Sequence, residues 1–166
     1  MDLVEKLITE PTDDIFDLLL ADDKEVFWVD WRDDDAVLAD YCEAVAHTGM
    51  LGSHWVDDVL TITYAERSRA VPLTQSPGDR HITLMTINEL MAPDYSIRMV
   101  WESEGSDTLA FSVLPEARWA ELEAQYGRAA VDRAFLTLTH DINPFIDALH
   151  VRRPTGKERR WWTFWR

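Results

Sequence analysis

IRMVWESEGSDTLAFSV, residues 97–113, decides how this chain folds. Ile97, Met99 and Trp101 alternate with Arg98 and Glu102, and Glu104-Gly105-Ser106 supplies a turn. Leu109, Phe111 and Val113 then repeat the two-residue apolar period. That period on both sides of a glycine-containing turn predicts a β-hairpin, whose strands run antiparallel.

Working outward, EVFWVDW (residues 25–31) is apolar on both faces, with Val26 and Trp28 opposite Phe27, Val29 and Trp31. It predicts an interior strand covered on two sides. Residues 2–9 and 13–21 predict helices, the second capped by Thr12 with Asp13 and Asp14 in its first turn. Asp33, Asp34 and Asp35 open a helix running to about His47 and ended by Gly49. Its inward face is Val37, Leu38, Tyr41 and Val45, with Cys42 a further candidate. Residues 55–65 predict a strand with Leu60, Ile62 and Tyr64 on one face, a turn at 66–68, and a return strand at 70–73.

Asp79 caps HITLMTINELM, which ends before Pro93. Its β-branched residues also suit a strand, but the cap and the Pro ending favour a helix. Pro115 starts a helix with Trp119, Leu122 and Tyr126 on one stripe and Gly127 at its end. Val131, Ala134, Phe135 and Leu138 mark another helix, and Asn143-Pro144 begins a last turn or short helix with Phe145, Ile146 and Leu149. The order ααβαββαββαα shows no repeat and no βαβ regularity. It predicts a single α+β domain with an antiparallel or mixed five-stranded sheet and helices packed on it. Residues 1–151 read as that domain and 152–166 as a tail leaving through Arg152-Arg153-Pro154-Thr155-Gly156.

Charge is distributed unevenly between the two. Residues 1–151 hold 30 Asp+Glu against 10 Lys+Arg, a balance of −20, whereas residues 152–166 hold six Lys+Arg against Glu158, a balance of +5. The first 60 residues alone carry −14. A body so acidic repels nucleic acid and anionic lipid and attracts cationic protein surfaces, with association rates raised roughly 10- to 1000-fold. With 46% apolar and 11% aromatic residues the body is globular rather than disordered. One cysteine, Cys42, excludes an internal disulfide and a cysteine-rich zinc site. MDLVEKLITEPTDD lacks the long apolar run of a secretory signal, and no stretch approaches the roughly 20 apolar residues of a membrane span, so a cytoplasmic location is expected.

No constellation of catalytic residues is evident, and no metal or cofactor is expected. His47, His54 and Cys42 have poor ligand spacing, and no register of Asp30 with Asp33, Asp34 and Asp35 matches a calcium loop. Cys42 falls mid-helix, where nothing lowers its pKa, and Gly156-Lys157 lacks the rest of a phosphate-binding loop. Asp79-Arg80-His81 is the most enzyme-like triplet: at a helix start Arg80 and His81 can hold a phosphate or carboxylate, and an enzyme there needs Asp79 or Asp107 to converge on the histidine; the simpler reading is that Asp79 caps the helix and its neighbours pair with the acidic surface.

The stretches VFWVDWRDDDAVLADYCEAVAHTG, DRHITLMTINELMAPDYSIRMV and GSDTLAFSVLP resemble a group of small bacterial proteins, the immunity proteins of interbacterial toxin systems including type VI secretion. The resemblance covers residues 25–126 and transfers no site residue. It implies a small acidic cytoplasmic protein that binds a toxin domain and blocks its active site. The toxin would itself act in the cytoplasm, as a nuclease or nucleotide-modifying enzyme does.

Three functions are expected as alternatives. The first is a binding module for a basic toxin or effector domain, with Asp33, Asp34, Asp35, Asp40, Glu43, Asp57 and Asp58 steering it and Trp31 and Trp55 as anchors. The second is a small-molecule enzyme using Arg80 and His81. The third is a homodimer or scaffold joined through the tail. There Arg159, Arg160, Trp161, Trp162 and Trp165 dock on the acidic body, on a second subunit or on a partner.

Overall fold

The computed structural model describes residues 1–147 and 149. The tail, 152–166, with Arg159, Arg160, Trp161, Trp162 and Trp165, lies outside the described residues. The fold is α+β. In chain order the elements are α1 (Leu3–Thr9), α2 (Asp13–Leu20), β1 (Phe27–Asp30), α3 (Val37–Ala46), β2 (Leu51–Val56), β3 (Val59–Tyr64) and β4 (Arg67–Ala70). The chain continues through α4 (Asp79–Met91), β5 (Tyr95–Val100), a 3₁₀ turn (Trp101–Ser103), β6 (Thr108–Pro115), α5 (Glu116–Tyr126), α6 (Arg128–Ala134) and β7 (Phe135–Thr137).

The hairpin read at 97–113 is the centre of a four-stranded sheet ordered β1-β6-β5-β7, every pair antiparallel. Phe111 pairs with Phe27 on one side and Met99 on the other. The two-residue period sends alternate side chains of this sheet into two different cores. Phe27, Val29, Ile97, Met99, Leu109, Phe111 and Val113 join α3, α4 and the second sheet. Val26, Val100 and Ala110 join α1, α2, α5 and α6 around Trp119, with Trp28 and Leu114 packed alongside.

The expected five-stranded sheet is replaced by seven strands in two sheets among the described residues, the second ordered β2-β3-β4. Two features account for the difference. The segment 55–65 is not one strand, because Asp57 and Asp58 both take positive φ, 46° and 62°, and close a two-residue hairpin turn between β2 and β3. The helix expected through Leu138 stops at Ala134, and Phe135 begins a short strand opposite Val100. The return strand is 67–70 rather than 70–73.

β1 has both faces covered, as expected of an interior strand, yet it stands at the sheet edge. Its burial comes from the layers above and below it, not from a strand on each side. The second sheet lies across α3 and α4: α3 packs on β1, β6 and β2, and α4 on β5, β3 and β4. Leu38, Ala39, Cys42 and Val45 form the buried stripe of α3, while Tyr41 is exposed rather than inward. The helix ends where His47 takes left-handed φ, 51°, two residues before Gly49. Segment 79–91 is a helix, and nine of its thirteen residues are buried, among them Asp79, His81, Thr83 and Thr86, so it is enclosed most of the way round, as fits a layer between two sheets. No helix among the described residues is long and apolar enough to cross a membrane.

Phe111 stacks on Phe27 at 5.6 Å and on Phe145 at 6.0 Å, so it joins β6, β1 and the C-terminal turn. Phe111→Ala is expected to cost about 3–5 kcal/mol, read as a lower urea midpoint with little change in slope.

Candidate functional site

The turn after β1 is built by its own aspartates. Asp33 Oδ2 accepts the Asp30 N–H at 2.8 Å, and Asp34 Oδ1 accepts the Ala36 N–H at 2.9 Å. Arg32 folds back to hold Asp30 through Nε and Nη2, both at 2.9 Å, and its guanidinium lies 5.4 Å from the Trp31 ring centroid. The Arg32 hydrogen bonds bring the Asp30 carboxyl down to about 2. Trp31 is left 44% exposed at the apex.

Asp35 points the other way. It is 6% exposed and receives Arg80 from the first turn of α4: Nε donates to Oδ1 at 2.7 Å and Nη2 to Oδ2. Thr83 Oγ1 adds a bond to Oδ1 at 2.8 Å. Arg80 Nη1 reaches the carbonyls of Asp33 and, at 3.3 Å, Trp31. The guanidinium thus fastens the 31–35 turn to α4.

Asp79 fastens the facing loop. Its carboxylate accepts the Thr74 N–H at 3.0 Å, the Thr74 hydroxyl at 2.7 Å and the Ser76 N–H at 3.2 Å. Burial pushes the Asp79 carboxyl up, but the bonds from Thr74 and the loop amides outweigh it and hold it below the usual carboxylate range. The expectation that Asp79 caps its own helix is corrected: Gly78 is at the cap, and Asp79 binds the loop before it.

A cleft of about 530 Å³ lies between these walls. Trp31, Asp33, Asp34, Asp35, Trp55, Leu73, Pro77 and Arg80 are among its lining residues. Trp55 arrives from β2, opposite Leu60 and 49% exposed. The Ser53 hydroxyl, two residues earlier, donates to the Ala36 carbonyl at 2.6 Å and locks β2 beside the turn.

Five of the nine residues nominated as partner contacts therefore share one cleft, and four do not line it. Asp40 is exposed on α3, and Asp57 and Asp58 form the tip of the β2–β3 hairpin. Two of the nominated acids are engaged within the fold. Asp35 is buried and paired with Arg80, and it shapes the cleft. Glu43 accepts bonds from the Thr48 hydroxyl (2.6 Å), the Gly49 N–H (2.5 Å) and the Leu51 N–H (3.2 Å), and closes the loop between α3 and β2.

The residues of the enzyme reading diverge. Arg80 serves Asp35, whereas His81, 4% exposed, sets Nε2 2.9 Å from the Thr139 carbonyl. Nε2 is thereby the protonated nitrogen, and Nδ1 has no hydrogen-bond partner among the described residues. Asp107 lies in a different hollow, with Trp31, Pro77 and Phe145. Cys42 is fully buried, its Sγ 3.9 Å from Met91 Sδ, and burial pushes its thiol far up. Among the described residues no group of three or more His, Cys, Asp or Glu is placed to hold a metal ion. No family model, curated protein or solved structure matches the chain.

The Arg80–Asp35 pairing escaped sequence reading, since 45 residues separate the partners. One signal was present. Asp35 lies just before α3, three, four and seven residues ahead of Leu38, Ala39 and Cys42, in line with the buried stripe of that helix, and a carboxylate enclosed there needs a cation.

Arg80→Met leaves a buried charge unpaired and is expected to cost about 3–5 kcal/mol, with Arg80→Met/Asp35→Leu recovering most of the loss in urea titrations. His81 gives a pH test. Burial holds its imidazole below the ordinary 6.5, against the pull of the Thr139 carbonyl, so below that value the unfolded chain binds more protons than the folded one. Wild type should therefore lose stability relative to His81→Gln as pH falls from about 7.5 to about 5, seen in paired urea midpoints.

Proposed function

We propose that this protein is a protein-binding module of the immunity type, which captures a basic toxin or effector domain through the Trp31/Trp55 cleft and neutralises it in the cytoplasm. In this reading residues 1–151 are the binding domain and 152–166 its tail. One observation carries it: two half-exposed tryptophans from separate elements converge on one open cleft with Asp33 and Asp34, in a body of charge −20.

Chemically, the cleft suits a cationic segment with an apolar or aromatic anchor. Trp31 and Trp55 offer large, rigid indole surfaces at low entropic cost, the composition of binding hot spots. Both arginines in the lining are already committed, Arg32 to Asp30 and Arg80 to Asp35, so neither repels an incoming cation at full strength. Asp40, Asp57 and Asp58 lie outside the cleft, exposed, and act through the long-range field.

The test is affinity capture from the source cell with the full chain, after which the captured protein is expressed alone and together with this one. The expected partner is basic, arrests growth by itself and is tolerated when co-expressed. Trp31→Ala/Trp55→Ala should weaken binding about 30-fold or more, and Asp34→Asn should slow association and flatten its salt dependence. Equal retention by the folded tryptophan double variant rules out the cleft. An acidic or harmless partner rules out the toxin assignment.

A further inference from the structure

The cleft has a neighbour. A hollow of about 290 Å³ is lined by Trp31, Pro77, Asp107, Pro144 and Phe145, and it shares Trp31 and Pro77 with the cleft. An aromatic and prolyl track thus runs from Phe145 past Trp31 to Trp55. The start of the 143–147 turn is fixed to the base of α4, where Asn143 Nδ2 donates to the Gly78 carbonyl at 3.1 Å. Phe145 stacks on Phe111, and Leu149, the last described residue, is buried in the same core.

Leu149 thus stands four residues past Phe145, which marks one end of this track. The chain's C-terminal segment has the opposite charge and matching side chains: residues 152–166 carry +5 and include KERRWWTFW at 157–165. Eight residues from Leu149 to Lys157 reach roughly 25 Å when extended. Asp33, Asp34 and Asp107 line the track with charge opposite to that of the segment, and both lining arginines are paired elsewhere.

We infer that the segment 157–165 docks in cis along the Trp31/Trp55 cleft and must be displaced before a partner can bind there. This rests on the reading of the cleft as a docking surface and adds a means of regulating it. A tethered segment meets its site at an effective concentration in the millimolar range, so even contacts of millimolar affinity keep the cleft about half occupied. Arg159 and Arg160 would meet the aspartates, and Trp161, Trp162 and Trp165 the exposed indoles. A tight partner overcomes this competition, whereas weak cationic ligands are screened out.

The experiment uses the full chain with a nitroxide attached through Thr163→Cys, Cys42 being buried and unreactive. The indole N–H resonances of Trp31 and Trp55, assigned by Trp→Phe variants, should broaden strongly. The broadening should disappear in Arg159→Glu/Arg160→Glu and weaken in high salt. No broadening at either indole overturns the inference. So does broadening that appears only when the nitroxide and the observed indoles are on different molecules, which assigns the tail to a second copy. A synthetic peptide of residues 157–166, titrated into the Arg159→Glu/Arg160→Glu chain, separates this outcome from the fate of the cleft. It should shift Trp31 and Trp55 there, and at least tenfold less readily in wild type. Peptide shifts without nitroxide broadening leave the cleft standing and remove the docked tail. Silence in both removes the two together.

Discussion

The buried ion pair of Arg80 with Asp35 holds the Trp31/Trp55 cleft in shape. Two charges out of water are costly unless every polar atom is met. Here the carboxylate has the guanidinium and the Thr83 hydroxyl, and the guanidinium has two backbone carbonyls besides. The pair ties the turn after β1 to the beginning of α4, while the adjacent Asp79 ties the loop before α4 to the same helix. One helical turn, through Asp79 and Arg80, is thereby bonded to both cleft walls.

The layers explain why that turn can be an anchor. α3 and α4 lie between two antiparallel sheets, and α4 is buried around most of its circumference. The helix that carries this turn packs on β3, β4 and β5. The large acidic excess is consistent with this economy of buried charge. Asp35 and Asp79, the aspartates enclosed near the cleft, are each provided with several donors, and most of the others face water, where their field acts on anything approaching.

Much of the fold was legible because it is written in side-chain period. The 97–113 hairpin alternates cleanly, and the two faces of its strands go to two cores. Segment 79–91 was ambiguous by composition and proved helical, its boundaries matching the Pro93 stop. What failed had no local mark. The Asp57-Asp58 turn lacks the glycine that usually betrays a tight hairpin, and β7 is three residues long, below the length at which a period can be seen. At the site, sequence alone nominated Trp31, Trp55, Asp33 and Asp34, which do meet in space. It also nominated Asp35 and Glu43, because exposed and enclosed acids look alike until their donors are known.

The cleft draws on residues 31–35, 55 and 73–80, three stretches brought together only when both sheets have closed on the helices between them. The cleft is therefore a property of the closed fold and of no single segment. A chain whose layers have not closed presents no such cleft. Under the proposed function, the copies able to engage a partner are those that have finished folding.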